Sequence, residues 1–168
     1  MKYTGTLTIA AKGDRELTMR RRVDAPPARV FAAFITPDLM RRWMLGAPGT
    51  TMPVCEVDAR AGGAYRTVWR DAAGVETSCS GHYREVVPPF RFVGTERFEP
   101  PWYPGEGLAT LEFVERDGGT EVITTVRYES TEARDGVLKT PIAGGATQSY
   151  DRLAAILDAD KADGDKTA

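Results

Sequence analysis

The chain has 168 residues, 42% hydrophobic and 27% charged, with a formal net charge of −2 from 22 basic and 24 acidic side chains. That length supports one domain with a sizeable core, expected over residues 1–158, followed by a tail at 159–168 whose sequence has no apolar face and is expected to fray. The mixed charge gives no electrostatic footprint for nucleic acid or an anionic membrane, so neither is expected as a partner.

The opening MKYTGTLTIAAKGDREL alternates polar and apolar residues, and no window of about 18 apolar residues occurs. No export signal or membrane insertion is expected, and the chain is assigned to the cytoplasm. Thr/Ile/Leu/Val alternation up to Val23 predicts one strand, or a hairpin turning at Lys12 to Asp14. Pro26 and Pro27 then favour a helix start, with Val30, Phe31 and Phe34 on one face. TPDLMRRWM repeats the signal, with Thr36 as N-cap and Pro37 in the first turn.

From Met52 the period changes to two. Strands are predicted over Met52–Ala59, Ala64–Arg70, Glu76–Val87, Phe90–Phe98, Gly107–Glu115 and Glu121–Tyr128, separated by turn-forming DAAG, VPPF, EPPWYPGEG and RDGG. After Ser130 a helical period returns, and Ile142, Ala146, Ser149, Leu153, Ile156 and Leu157 define the face of one long closing helix. The order predicts an α+β two-layer fold in which a curved antiparallel sheet wraps a helix.

Alternation assigns an inner sheet face of Cys55, Val57, Tyr65, Thr67, Trp69, Cys79, Gly81, Tyr83, Phe92, Leu111, Phe113, Val122, Thr124, Val126 and Tyr128. Tyr and Thr inside a fold need hydrogen-bond partners, which a cavity with water or ligand supplies and backbone carbonyls or the cavity rim supply equally well. Gly144 and Gly145 weaken the closing helix by about 1 kcal/mol each relative to Ala. They signal room for a ligand, close packing on the sheet, or a helix start displaced to about Ala146; Gln148 and Ser149 then become candidate polar contacts. Trp102 and Tyr103, on a loop stiffened by Pro100, Pro101 and Pro104, form a candidate lid, plug or partner contact.

Gly62 and Gly63 read as a tight turn before a strand, since no helix follows that could meet a phosphate. The only histidine, His82, shares a strand face with Ser78 and Ser80, away from the inferred cavity, which argues against a nucleophilic triad. Glu85 has the parity of Tyr83, giving an inward carboxylate or, more simply, a rim ion pair. Cys55 and Cys79 are not in a CxxC arrangement and read as free core thiols. With so few soft ligands, no metal or cofactor is expected.

The segments RRVDAPPARVFAAFITPDLMRRWM, VDARAGGAYRTVWRDAAGVETSCSGHYREVVPPFRFVGTE and GGTEVITTVRYES, with the ending GGATQSYDRLAAIL, resemble the START-like (SRPBCC) superfamily. The nearest branch is that of homologues of the activator of the heat-shock-protein-90 ATPase, and the resemblance runs from about Leu17 to Leu157. It implies a helix-grip fold of about six to seven strands around the C-terminal helix, with a deep cavity often used for lipophilic molecules. It also implies that Trp43 borders the cavity and that Tyr65 and Trp69 face it. The superfamily includes ligand carriers, polyketide aromatases and cyclases, hydrolytic or self-sacrificing resistance proteins and co-chaperone domains. No catalytic dyad transfers.

The cavity expected to bind ligand is therefore lined by Trp43, Tyr65, Thr67, Trp69, Cys79, Tyr83, Phe92, Trp102, Phe113, Thr124, Tyr128, Gln148 and Ser149. Binding of a small lipophilic or aromatic molecule is the leading reading. The others are a cyclase-like or hydrolytic enzyme using Tyr, Glu85 or His82 for proton transfer, and a co-chaperone-like module. A monomer and a homodimer both fit the sequence.

Overall fold

The computed structural model describes residues 6–166, with side chains as far as residue 160. The N-terminal segment adopts the hairpin reading: β1 (Thr8–Lys12) and β2 (Glu16–Val23) pair antiparallel around Gly13, whose φ of +58 suits a residue without Cβ. Two short helices follow, α1 (Pro27–Ile35) and α2 (Pro37–Trp43). Both begin at a proline, whose missing N–H costs nothing in a first turn. Thr36 occupies the N-cap of α2, but its side chain makes no cap hydrogen bond; its carbonyl instead accepts from Leu39 and Met40.

The meander comprises β3 (Thr51–Val57), β4 (Ala64–Arg70), β5 (Glu76–Val87), β6 (Arg91–Glu99), β7 (Gly107–Arg116) and β8 (Gly119–Arg127). All pairings are antiparallel, in the order β1-β2-β8-β7-β6-β5-β4-β3. Because β2 pairs with β8, the α1–α2 pair must cross the sheet to reach β3 on the far edge. The expected α+β helix-grip fold is present, with eight strands because the N-terminal segment supplies two.

The sequence period did not resolve a separate helix, α3 (Thr131–Leu138), before the last helix. Ser130 caps it, its Oγ accepting from the Ala133 N–H at 3.0 Å. Ala133 and Val137 bury one face, and buried Arg134 donates to the carbonyls of Gly13 and Glu16, fastening α3 to the β1–β2 hairpin. The closing helix, α4 (Ile142–Lys166), starts where its apolar face starts, so the glycines do not displace it to Ala146. Its helical backbone continues through most of the segment expected to fray, beyond Leu157, the last buried apolar residue among the described side chains; positions 167 and 168 lie outside the described residues.

The core lies between the sheet and the helices. Phe113 of β7 contacts Phe31 and Phe34 of α1, each at 5.2 Å between ring centroids, while Phe34 meets Trp43 of α2 at 4.7 Å. Tyr150, Leu153, Ala154 and Leu157 bury α4 at the helical spacing. Arg21 of β2 is fully buried beneath that helix, where Nη2 donates to Asp151 at 2.9 Å and Nε to the Arg22 carbonyl.

Removing the carboxylate would leave a buried guanidinium without its counter-charge, so Asp151→Ala is expected to cost about 3 kcal/mol in urea unfolding. The double variant Arg21→Met/Asp151→Leu should cost less than Asp151→Ala alone, because no buried charge is left behind.

Candidate functional site

The concave sheet face and α4 frame a partly open cavity of about 310 Å³. It adjoins an outer chamber of about 660 Å³ between the ends of β4 and β5, the α2–β3 loop and the first turns of α4. Met44, Trp69, Phe98, Trp102, Ile142, Ala146 and Ser149 line both. The space exists because α4 carries small residues over this half of the sheet. Ala146 stands on the wall, and Gly145 lies beside Gly46, with room for a Cβ in ordinary contact with its Cα at 4.0 Å.

Trp43, Tyr65, Thr67, Trp69, Cys79, Tyr83, Phe92, Trp102, Thr124, Tyr128 and Ser149 all line the inner cavity. Phe113 does not: it points to the concave side, but α1 fills that part of the sheet and encloses it among Phe31, Phe34 and Phe92. Gln148 is exposed, because the inward positions of α4 at Ser149, Tyr150 and Leu153 rotate it to solvent. His82 is exposed on the opposite sheet face in a shallow groove with Arg66 and Arg97. Glu85 follows a register shift in β5 and pairs with Arg91 at 3.2 Å on the surface.

The turn before β4 sets the position of this aromatic face. Gly62 has φ +85, and a Cβ on Gly63 would collide with the Asp58 carbonyl. Both glycines bond the backbone of Tyr83, Gly62 N–H to its carbonyl and its N–H to the Gly63 carbonyl, which extends the β4–β5 ladder past Ala64. Tyr65 and Tyr83 then lie side by side at 5.5 Å.

Backbone carbonyls satisfy four of the polar side chains on the predicted wall. The Tyr65 hydroxyl donates to Thr95 at 2.6 Å, Thr67 to Cys79 at 3.4 Å, Trp43 Nε1 to Ala33 at 2.8 Å and Trp69 Nε1 to Met44 at 2.7 Å. Ser149 Oγ accepts from the Gly46 N–H at 2.9 Å, tying α4 to the α2–β3 loop. The cavity therefore meets rings and methyl groups far more than hydroxyls.

Sequence reasoning missed Glu96. It is half-buried on the cavity wall, and desolvation raises its carboxyl above the ordinary range, opposed by a hydrogen bond from Tyr103. The Tyr103 hydroxyl donates to Oε1 at 2.7 Å. Alternation from Phe92 would have found Gly94, Glu96 and Phe98 on the same face. The 102–103 loop divides its aromatics: Tyr103 is buried, whereas Trp102 is 50% exposed and stacks on Phe98 at 4.3 Å with an interplanar angle of 4°. Tyr150 was also missed, although its spacing of three and four from Leu153 and Ala154 marks it as inward.

Burial pushes the Cys79 thiol and the Tyr83 and Tyr150 hydroxyls up to about 12, and raises Tyr65, Tyr103 and Tyr128 as well. Such groups favour the fold while neutral, so the stability they contribute is present below their ordinary range near 10 and is lost as pH rises through the folded-state values. Five of the six tyrosines belong to this set; Tyr3 lies outside the described residues. In alkaline titration no more than about one tyrosinate's absorbance should develop by about pH 10.5, with the rest appearing together as the protein unfolds.

Among the described residues, no group of three or more His, Cys, Asp or Glu is placed to hold a metal ion, and no helix is long and apolar enough to cross a membrane. Residues 24–158 match the family model described as Activator of Hsp90 ATPase homolog 1-like protein. No curated protein matches the chain. Among solved structures, a protein from Rhodobacter sphaeroides is 30% identical, with 91% of this chain and 99% of that one covered and a TM-score of 0.85. The protein CV1439 from Chromobacterium violaceum is 29% identical over 85% of this chain and 96% of its own, with a TM-score of 0.74. The AHSA1 protein from Silicibacter pomeroyi shares the fold at 21% identity, covering 86% of this chain and 99% of its own, with a TM-score of 0.68. With the helix-grip architecture and a family match across most of its length, the chain belongs to the family of Activator of Hsp90 ATPase homolog 1-like proteins, a branch of the START-like superfamily.

Proposed function

We propose that the protein binds a small hydrophobic, aromatic-sized molecule in the cavity between the sheet and α4. The observation that carries this reading is the partly open cavity of about 310 Å³, whose wall groups are mostly rings, aliphatic side chains and sulfur atoms. Removing a flat apolar molecule from water gains roughly 25 cal/mol per Å² of its buried surface, without the cost of stripping water from unpaired wall amides. The outer chamber provides the approach, and Trp102, half exposed above Phe98, occupies the side of that approach. Trp43, Tyr65, Trp69, Tyr83 and Phe92 supply the flat contacts, while Ser149 ties α4 to the α2–β3 loop.

Ala146 stands between the two chambers. Ala146→Phe should fill the passage and weaken binding of the neutral fluorescent dye N-phenyl-1-naphthylamine by at least about tenfold, while changing unfolding stability by less than about 1.5 kcal/mol. Unchanged dye affinity in a folded variant would place the dye outside the cavity and remove this reading.

A further inference from the structure

Resting on the ligand-binding reading, the chemical class of the ligand follows from the one carboxyl on the cavity wall. Glu96 lines the inner cavity and not the outer chamber. Its Oε1 accepts from Tyr103 at 2.7 Å, and no described residue donates to Oε2. The site is shaped for this pair: Gly107 faces Glu96 across β6–β7, and a Cβ there would lie 2.7 Å from the Tyr103 hydroxyl and 3.0 Å from Glu96 Cγ. Tyr103 in turn meets Tyr128 edge to face at 4.7 Å, and the Tyr128 hydroxyl has no hydrogen-bond partner among the described residues.

The titratable groups facing this carboxyl are Tyr65 of β4, Cys79 of β5, Tyr103 of the loop and Tyr128 after β8, with Tyr150 of α4 across the cavity. None of these is a cation. Glu96 is half-buried with no cation beside it, so an ionised carboxylate here would be partly desolvated without a counter-charge, whereas a neutral carboxylic acid keeps one acceptor for Tyr103 and offers one O–H donor. Burial acts in the same direction, raising the Glu96 carboxyl.

We propose that the inner end of the cavity recognises a carbonyl oxygen on an otherwise apolar ligand, with the neutral Glu96 carboxyl donating from Oε2 while Tyr103 holds Oε1. The ligand class is thus an aromatic or alicyclic ketone, enone or quinone rather than a pure hydrocarbon. Tyr128 supplies a second donor at the same end. As pH rises through the Glu96 titration the acid proton is lost, and affinity for the carbonyl compound falls.

The test is displacement of N-phenyl-1-naphthylamine by 2-acetylnaphthalene and by 2-ethylnaphthalene, which differ at the carbonyl. The ratio of their two Kd values should shift about tenfold against the ketone in Glu96→Leu relative to the parent protein. Glu96→Gln, whose amide also donates, should keep the parent ratio and lose its pH dependence. A ratio unaltered in a folded Glu96→Leu variant would overturn the assignment while leaving the ligand-binding reading intact. So would tighter binding of 1-(2-naphthyl)ethylamine than of the ketone, abolished in Glu96→Gln, since Glu96 would then act as a carboxylate. Failure of the parent protein to bind the dye or any of the three naphthalenes would remove both proposals together.

Discussion

The position of α4 governs everything else in this structure, and a buried charge sets that position. Arg21 on β2 has no contact with bulk water, and its ion-pair partner is Asp151 on the helix. With Tyr150, Leu153, Ala154 and Leu157 packed around it, this pair holds the central part of α4 down on the sheet. Burying the pair gains little by itself, since desolvation consumes most of the Coulomb attraction; its effect is to make other helix positions expensive. A displaced helix would strand the guanidinium.

One end of the helix is thus packed and the other is free to stand over space. In the first turns of the helix, Gly145 and Ala146 stand where larger side chains would fill the chamber. The Ser149–Gly46 hydrogen bond and the nearby approach of Gly145 to the same glycine hold this end at the α2–β3 loop. Native interiors pack densely enough that an unfilled volume of this size is destabilising unless something else occupies it. Gly145 and Ala146 thus give up helix propensity and packing where the chamber opens, whereas Gly144 faces solvent.

The wall chemistry follows from strand pairing. Residues two apart on one strand share a face, so Tyr65, Thr67 and Trp69 must appear together, and β5 places Cys79 opposite Thr67. The hydroxyls and indole nitrogens of that face turn sideways into backbone carbonyls of neighbouring strands and loops, which leaves their apolar surfaces toward the cavity. The Glu96–Tyr103 pair breaks that pattern. Its hydrogen bond is between side chains, it sits where β7 has a glycine, and it retains an oxygen that no described residue uses.

The period-two pattern from Met52 onward determined the meander, its inner face and, with the family motifs, the helix-grip fold; the strand boundaries shift by only a residue or two because alternation and turn residues are local signals. Eleven of the thirteen expected wall residues stand on the cavity, seven of them on strands for the same reason. What the sequence left undecided depends on neighbours distant along the chain. Phe113 is taken out of the cavity by α1, Gln148 by the rotation of α4, and Glu85 by a register shift in β5. Helix α3 is fixed by Ser130 and by Arg134 reaching the N-terminal hairpin. The role of Glu96 emerged only when the 102–103 loop folded Tyr103 onto it, since alternation states which way a side chain points and only tertiary packing decides what it meets there.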